Sequence, residues 1–170
     1  MERIVVIGNA GSGKSTLAKT LSERLNLPLL HLDTVFWLPG WVKAPQEAME
    51  EAHRVWLAKP QWVIDGNYRR QLDDRLALAD TVFYFKLPTV VSLWSAIRRA
   101  VKFRNQSRPD ITVGCDEKFD AEFFRWIVRF RRDVEPLLDQ AIARHSHLRV
   151  EIIRSRRALR RRLEEIVKKP

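Results

Sequence analysis

The sequence predicts an α/β fold in which five short strands alternate with helices and form a mostly parallel sheet. Two observations carry this prediction. The strands are short apolar runs rich in β-branched and aromatic residues, which is typical of strands covered on both faces. The segments between them have apolar residues at helical spacing and end at proline or glycine. Because crossovers between parallel strands are right-handed, the helices should cover both faces of the sheet and give three layers.

The apolar runs, together with the proline and glycine residues between them, mark where each element begins and ends. The predicted strands are residues 4–7, 29–32, 62–64, 81–85 and 148–153. The predicted helices run from Gly13 to before Pro28, then over residues 46–59, 69–78, 90–103, 120–144 and 158–167. The longest helix should be interrupted near Pro136, because proline lacks the N–H group that a helix interior needs. Residues 104–118 form a polar stretch with Pro109 and Gly114.

Length and composition indicate a globular protein. The chain has 170 residues, of which 45% are hydrophobic, so we expect residues 1–170 to form a single domain. No apolar run approaches the roughly 18 residues of a membrane span, and the N-terminal run is too short for a signal peptide. We therefore expect a cytoplasmic protein with no membrane partner. Cys115 is the sole cysteine, which excludes an internal disulfide and a cysteine-based metal cluster.

The formal net charge of +10 is concentrated in two parts of the chain. Residues 98–132 contain ten Lys and Arg against five Asp and Glu, and residues 149–170 contain nine against three. Such blocks suit anionic partners, either polyphosphates or nucleic acid, and the charge does not distinguish them. A basic helix that is simply solvated explains the C-terminal block equally well.

A phosphate-binding loop follows the first strand. Residues 8–15 fit the pattern G-x-x-x-x-G-K-[ST] at every fixed position and lie between a buried strand and a helix, as this motif requires. The backbone N–H groups and the helix N-terminus favour phosphate oxygens, Lys14 adds a cation, and the Ser15 hydroxyl is a ligand for Mg²⁺. The predicted ATP-binding residues are Gly8, Asn9, Ala10, Gly11, Ser12, Gly13, Lys14, Ser15 and Thr16, the last of which is equally suited to helix capping.

Further segments make the chain resemble adenylate kinases and related nucleoside monophosphate kinases. Asp65-Gly66-Asn67-Tyr68-Arg69 resembles their Asp-Gly-x-x-Arg segment, and residues 79–88 look like their fourth strand. Over nearly the whole chain, the set of residues 31–33, 37–41, 62–68 and 107–110 is similar to the adenylate-kinase-related family of DNA topology modulation proteins. The resemblance implies a three-layer P-loop NTPase fold with a five-stranded parallel sheet and a short arginine-rich lid.

The resemblance also implies where the acceptor and the lid lie. Residues 34–60 correspond to the acceptor-binding segment, and residues 99–132 to the lid and the helix that returns from it. Arg99 falls where those kinases begin the lid with a phosphate-binding arginine, and Arg132 belongs to the basic pair that leaves it. The acceptor-binding arginine of true adenylate kinases has no counterpart here. Trp37 and Trp41 offer flat apolar surface instead, so AMP is not implied as the acceptor.

Strand ends supply the remaining candidate residues. Asp33 and Asp65 follow predicted strands at the edge where open α/β sheets bind ligands. Asp33 has the chemistry to bind the acceptor, to accept a proton from its hydroxyl group, or to orient magnesium-bound water. Arg69 is suited to hold phosphate or acceptor oxygens in a bidentate contact, and Gly66 completes this turn. As ordinary structural roles, Asp33 suits a helix cap, Asp65 a turn, and Arg69 a solvated surface.

Taken together, the residues predict an ATP- and Mg²⁺-dependent kinase for a small-molecule acceptor that the sequence does not identify. Its predicted catalytic residues are Lys14, Asp33, Arg69, Arg99 and Arg132, and its predicted substrate-binding residues are Asp33, Trp37, Trp41, Asp65, Gly66 and Arg69. Two alternatives stay open. One is a nucleic-acid-associated protein regulated by ATP, which the basic C-terminal region would serve, and the other is an ATPase without an acceptor.

Overall fold

The computed structural model describes residues 1–104, 106, 110–117 and 119–168, with side chains described as far as residue 165. The strands are β1 (Arg3–Gly8), β2 (Leu29–His31), β3 (Trp37–Leu38), β4 (Val42–Lys43), β5 (Trp62–Asp65), β6 (Thr81–Phe85) and β7 (Arg149–Ile153). The helices are α1 (Lys14–Leu25), α2 (Asp33–Phe36), α3 (Gln46–Leu57), α4 (Leu72–Leu78), α5 (Thr89–Lys102), α6 (Ala121–Asp133), α7 (Glu135–Ala143) and α8 (Arg156–Lys168). A 3-10 turn at Arg69–Gln71 precedes α4.

The main sheet has five parallel strands in the order β2-β5-β1-β6-β7, so the predicted α/β fold is confirmed. Its first three strands bring their carboxyl ends to one edge. His31 lies opposite Asp65 in the β2–β5 register, and Asp65 lies opposite Val6, two residues before the end of β1. The phosphate-binding loop therefore starts beside the two polar residues that end β2 and β5.

Each face of the sheet carries its own apolar core, as alternating side chains of buried strands require. Val5, Ile7 and Tyr84 point to the face covered by α4, α6 and α7. Ile4 and Val6 point to the opposite face, where α1 and the partly buried side chains of α8 pack. All five of these strand residues are at most 1% exposed. The strands are thus fixed from both sides, which holds the loops at their ends in place.

The predicted break near Pro136 is also confirmed. The helical run divides into α6 and α7 at Val134, which ends α6, and Pro136 occupies the first turn of α7. In the first turn a helix N–H group has no partner within the helix, so proline is tolerated there. Asp120 caps the other end of α6 by accepting hydrogen bonds from the backbone N–H groups of Glu122 and Phe123.

Within residues 34–60 the structure contains elements that were not predicted. The short helix α2 follows Leu32 directly, and β3 and β4 form an antiparallel hairpin through Gly40 and Trp41. Both turn residues have positive φ, 79° at Gly40 and 64° at Trp41. Strands of two residues are too short to show a period in the sequence, and their pairing depends on contacts from elsewhere in the chain.

Those contacts come from residues 110–117, which pack against the hairpin. The Gly40 N–H group donates to the carbonyl of Gly114 at 2.8 Å, and Trp41 Nε1 donates to the carbonyl of Asp116 at 2.9 Å. The Cys115 thiol lies 3.2 Å from the carbonyl of Leu38, and Cys115 is fully buried. The polar stretch predicted after α5 is therefore joined to residues 34–60, the segment predicted to bind the acceptor. Arg108, one of the arginines expected near the lid, lies outside the described residues.

Burial of His53 makes the stability of the fold sensitive to acid. Burial, assisted by the positive charge of Arg75, lowers the pKa of His53 to about 4. The unfolded chain therefore takes up a proton at higher pH than the folded chain does. We expect the free energy of unfolding to fall by on the order of 2–3 kcal/mol between pH 6.5 and pH 4 through this residue alone.

Urea unfolding at several pH values, monitored by tryptophan fluorescence, measures this effect. The variant His53→Leu should lose most of the additional acid sensitivity, whereas the variant His147→Gln at an exposed histidine should keep it. An unchanged pH profile in His53→Leu would contradict the assignment.

Candidate active site

The phosphate-binding loop adopts a conformation that depends on its glycines. Gly8 has a φ of 137°, and a Cβ atom there would lie 2.6 Å from the backbone oxygen of Phe85. Gly11 has a φ of 71°, and a Cβ atom there would collide with the backbone of α5 at Ser92 and Ala96. Only glycine fits both positions, because each combines a positive φ with a close backbone contact. The loop is thereby wedged between the end of β6 and α5.

Polar groups inside the loop suit a polyphosphate. Lys14 lies in the first turn of α1 and donates from Nζ to the carbonyl of Asn9 at 2.8 Å. Ser12 is 5% exposed, and its Oγ atom has no hydrogen-bond partner among the described residues. Buried hydroxyl groups are normally hydrogen-bonded, so this atom indicates a position that a ligand oxygen would satisfy. Ser15 lies beside Lys14 in α1, and Thr16 is exposed.

The residues at this edge also fit Mg²⁺ bound together with a nucleotide. The second carboxylate oxygen of Asp65, Oδ1, is buried and has no partner among the described residues. Carboxylate and hydroxyl oxygens are ligands of the kind that Mg²⁺ prefers, directly or through water. Ser15 and Asp65 are therefore the two residues that would hold the ion or its water.

Asn67 joins the loop after β5 to the phosphate-binding loop. Its Oδ1 atom accepts from the Gly8 N–H group at 2.9 Å, and its Nδ2 atom donates to the Gly8 carbonyl at 2.9 Å. One amide side chain thus satisfies both backbone groups of a residue that begins the phosphate-binding loop. Gly66, which precedes it, has a φ of 138° and no room for a Cβ atom beside Leu32.

Arg75 holds the same loop from inside the protein. It is fully buried and donates to the carbonyls of Gly66, Asn67 and Tyr68 at 2.8 to 3.0 Å. Burial lowers its pKa to about 9 against the favourable charge of Asp65. The guanidinium group therefore stays charged at neutral pH, and its planar set of N–H donors fixes three successive backbone carbonyls.

His31 and Asp65 form a hydrogen-bonded pair across the ends of β2 and β5. His31 Nδ1 lies 2.9 Å from Asp65 Oδ2, and both side chains are largely buried, at 15% and 6% exposure. Burial by itself lowers the pKa of His31, but the hydrogen bond and charge of Asp65, with the charges of Asp110 and Asp33, raise it overall. Protonated His31 is thus favoured beside three carboxylates.

Asp33 is held by Tyr68. The Tyr68 hydroxyl group donates to Asp33 Oδ1 at 2.5 Å, and burial and the charge of Asp33 raise the pKa of Tyr68 far above its ordinary value. Tyr68 therefore acts as a hydrogen-bond donor at all physiological pH values. Its ring lies 4.6 Å from that of Phe36, measured between centroids, which places an aromatic wall beside the carboxylate.

A cavity of about 240 Å³ lies next to this wall. It is lined by Phe36, Lys43, Ala44, Gln46, Met49, Tyr68, Arg69, Arg70 and Gln71. Arg70 binds Gln46 and lies 3.7 Å from Glu50, whereas Lys43 and Arg69 form no ion pair with another described residue. The cavity therefore offers two positive charges and an aromatic surface, which suits a small anionic molecule.

Trp37 and Trp41, which were predicted to bind the substrate, lie outside the lining of this cavity. Trp37 packs edge-on against Phe36 at 4.8 Å and against Trp41 at 5.4 Å, and neither tryptophan lines the cavity. Phe36 and Tyr68 supply the cavity's aromatic surface instead. Trp41 binds Asp116 through its indole N–H group, so it connects the hairpin to residues 110–117.

The two predicted lid arginines are engaged in ion pairs. Arg99 Nε lies 3.0 Å from Glu117 Oε1, and Glu117 is 5% exposed. Arg132 is exposed and pairs with the adjacent Asp133 at 2.6 Å. The helix α6 does reach the phosphate-binding loop, but through the carbonyl of Ile127, which accepts from Asn9 Nδ2 at 2.9 Å. Arg99 and Arg132 stay predictions for phosphate binding.

Comparison with known proteins identifies the fold. No protein-family model matches the chain, and no curated protein sequence matches it. Shikimate kinase from Acinetobacter baumannii, in complex with shikimate, superposes with a TM-score of 0.57 at 17% identity over 99% of this chain and 92% of that one. Shikimate kinase from Bacteroides thetaiotaomicron gives a TM-score of 0.50 at 17% identity over 97% and 95%.

The chain has the fold of the P-loop kinases. At such identities the likeness concerns the fold alone. The closer resemblance to DNA topology modulation proteins stays a prediction.

Sequence reasoning missed the residues whose roles depend on distant partners. No feature of the sequence marks Arg75 as a functional residue, because it lies in an ordinary helical pattern. Asn67 and Tyr68 were part of a resembling segment but received no role. His31 was named only within residues 31–33 of the resembling set, although its position at a strand end near Asp33 is visible in the sequence. None of the described helices is long and apolar enough to cross a membrane.

The amide of Asn67 should be essential to the phosphate-binding loop. The variant Asn67→Ala leaves the buried N–H and carbonyl groups of Gly8 without these partners, at a cost of about 1–3 kcal/mol. We expect that loss in urea unfolding and a parallel weakening of ATP binding by calorimetry. The control variant Gln61→Ala removes an exposed amide and should change neither. Equal behaviour of the two variants would contradict the role of Asn67.

The raised pKa of His31 should depend on Asp65. In the variant Asp65→Asn the charge is lost, so the pKa of His31 should fall, and NMR titration of the imidazole signals measures it. The sign of the stability effect follows from the raised pKa. The stabilisation by protonated His31 is complete below the unfolded-state pKa and is lost as pH rises through the folded-state value. A pKa of His31 that does not move would refute the pairing.

Proposed function

We propose that the protein is an ATP-dependent phosphotransferase that moves the γ-phosphoryl group of ATP to a small acceptor. The observation that carries this proposal is the segment of Asn67, Tyr68 and Arg69. Asn67 binds Gly8 of the phosphate-binding loop. The next two residues, Tyr68 and Arg69, line the cavity of about 240 Å³ beside Phe36, which we call the acceptor cavity. One rigid segment thus fixes the position of the donor loop relative to the acceptor cavity, and phosphoryl transfer depends on this positioning.

On the donor side, the chain's own residues bind and orient the triphosphate. The N–H groups of the loop and the N-terminus of α1 face the phosphate oxygens, and Lys14 exchanges the carbonyl of Asn9 for the β- and γ-phosphates. Ser15 and Asp65 would hold Mg²⁺, which neutralises charge on the phosphates when it is bound. Asn9 connects this loop to α6, and Arg99 and Arg132 are proposed to add cations when the nucleotide is present.

On the acceptor side, Asp33 is the proposed base. The acceptor's hydroxyl oxygen forms a bond to the γ-phosphorus, the bond from that phosphorus to the ADP oxygen breaks, and the hydroxyl proton passes to the carboxylate of Asp33. Tyr68 orients that carboxylate through its hydrogen bond to Oδ1. Gly66 and Asp65 shape the adjoining turn.

The cavity favours an acceptor that carries an anionic group as well as a hydroxyl group. Arg69 and Lys43 supply cations, and Phe36 and Tyr68 supply an aromatic wall. The superposed Acinetobacter enzyme holds shikimate, a small molecule, in its complex. Here we infer the chemical class from the cavity's residues, and Trp37 and Trp41 are proposed to bound the entrance from the hairpin.

The nucleic-acid alternative gains no support from the C-terminal region. Arg162 pairs with Glu151 at 2.9 Å and with Glu165 at 2.9 Å, and Arg149 also pairs with Glu151. Arg156 binds the hydroxyl group of Ser95 on α5. Several of the basic side chains that suggested nucleic acid thus stabilise the packing of α8, and no observation favours this function over a kinase.

The first prediction of the proposal concerns Lys14. Incubation with ATP, Mg²⁺ and a panel of hydroxy acids, phosphorylated alcohols and nucleosides should yield ADP and one phosphorylated product by mass spectrometry. The variant Lys14→Ala should reduce kcat at least 100-fold, because its cation stabilises the transferred group. The control Lys19→Ala, an exposed lysine on the same helix, should be unaffected. Wild-type turnover by Lys14→Ala would refute the mechanism.

The second prediction concerns the charge of the acceptor. The variant Arg69→Ala should raise the KM for the acceptor about tenfold or more while affecting ATP affinity little, since a bidentate anion contact is lost. The control Arg24→Ala removes an exposed arginine at the end of α1. If an uncharged alcohol were the best acceptor and Arg69→Ala left its KM unchanged, the inferred acceptor class would be wrong.

A further inference from the structure

A second cavity lies behind the acceptor cavity, between α3 and α4. Its volume is about 450 Å³, larger than that of the acceptor cavity. Its lining is Glu50, His53, Arg54, Leu57, Ala58, Gln71, Asp74 and Leu78. Its members thus come from one face of α3 and of α4, together with the 3-10 turn that precedes α4. The roles proposed for the kinase reaction use none of these residues.

His53 is the unusual member of this lining. It is 4% exposed, and neither imidazole nitrogen has a hydrogen-bond partner among the described residues. Buried polar side chains are nearly always hydrogen-bonded, because an unmet donor or acceptor is unfavourable. Burial and the charge of Arg75 lower the pKa of His53 to about 4, so the ring is neutral at physiological pH. A neutral imidazole offers one N–H donor and one acceptor nitrogen.

The rest of the lining limits what fits. Leu57, Ala58 and Leu78 form an apolar surface, and the polar members at the rim carry charges of both signs. Arg54 pairs with Glu51 at 2.7 Å, and Glu50 accepts from Gln46 at 2.5 Å, so these charges are already engaged within the protein. Asp74 adds a further negative charge to the lining, so the rim disfavours an anion.

We propose that this cavity is a second small-molecule site, which takes an uncharged ligand with an apolar body and a hydroxyl group that hydrogen-bonds to His53. The ligand's apolar part packs on the leucines, and its hydroxyl group meets one of the two unpartnered nitrogens once the imidazole ring turns toward the cavity, since both nitrogens are buried in the structure. Ligand sites commonly combine a mainly apolar wall with one or two placed polar groups in this way. The proposal stands independently of the kinase function, because it requires binding only.

The location connects the cavity with the acceptor side. Gln71 lines both cavities, and Glu50 contacts Gln46 and Arg70, which line the acceptor cavity. Arg75, whose charge acts on His53, holds the carbonyls of residues 66–68. A ligand at His53 is therefore connected through Arg75 to residues 66–68, which contact both the phosphate-binding loop and the acceptor cavity.

Phenol and benzene make a matched pair of probes, since they differ by the hydroxyl group alone. Titration of the ¹⁵N-labelled protein with each probe, followed on the imidazole signals by NMR, measures binding at His53. We expect phenol to bind with a dissociation constant on the order of 1 mM or below, and benzene at least tenfold more weakly. Phenol should shift the signals of His53 and leave those of His147 unchanged.

Two variants test separately whether binding depends on the hydrogen bond to His53 and on the volume of the cavity. His53→Leu should bind phenol and benzene with similar affinity, observed on the methyl signals of the leucines. Ala58→Phe fills the cavity and should abolish phenol binding, whereas Ala48→Phe, at an exposed position of α3 outside the cavity, should keep it. The proposal is overturned if phenol binds no better than benzene to the wild type, or if Ala58→Phe binds phenol as the wild type does. Neither result depends on ATP, so failure here leaves the kinase proposal intact.

Discussion

The two hydrogen bonds between the Asn67 side chain and the backbone of Gly8 are the constraint on which the site depends. They fix the loop after β5 against the loop after β1, and Arg75 holds the same loop from the core through three carbonyls. Burying a guanidinium group is costly, and here the cost is offset by those carbonyls and by the charge of Asp65. The result is a turn that presents Tyr68 to the cavity lined by Phe36 and presents the amide of Asn67 to Gly8.

Charge is divided across the site in the manner that the proposed phosphoryl transfer needs. The phosphate-binding loop provides backbone N–H groups and Lys14, which stabilise negative charge. Carboxylates end the neighbouring strands, where Asp65 binds His31 and Asp33 binds Tyr68. The raised pKa of His31 shows that these acids stabilise its protonated form. In the proposed reaction this arrangement would limit repulsion between the carboxylates and the phosphates, and Tyr68 would hold Asp33 in place as the base.

The β3–β4 hairpin and residues 110–117 form one packed unit. Trp41 and Gly40 hydrogen-bond to that segment, and Cys115 is buried against Leu38. The ion pair of Arg99 with Glu117 connects the same unit to the end of α5. Trp41, which was predicted to bind the substrate, and Arg99, which was predicted to bind phosphate, thus also stabilise the packing of this unit. Movement of this unit would change the ring contact between Trp37 and Trp41 and the ion pair of Arg99 with Glu117 together.

The sequence by itself determined the five strands of the main sheet, the longer helices and the phosphate-binding loop. Strands, helices, the break near Pro136 and the glycines of the phosphate-binding loop depend on local spacing and on backbone restrictions, which neighbouring residues express directly. Only the tertiary structure decided which side chains meet. The roles of Asn67 and Arg75 rest on buried hydrogen bonds to backbone groups, and the isolation of His53 rests on the packing of two helices. Such partners are far apart in the chain, and the energy of a buried polar group depends on its whole surroundings, so no local pattern in the sequence encodes it.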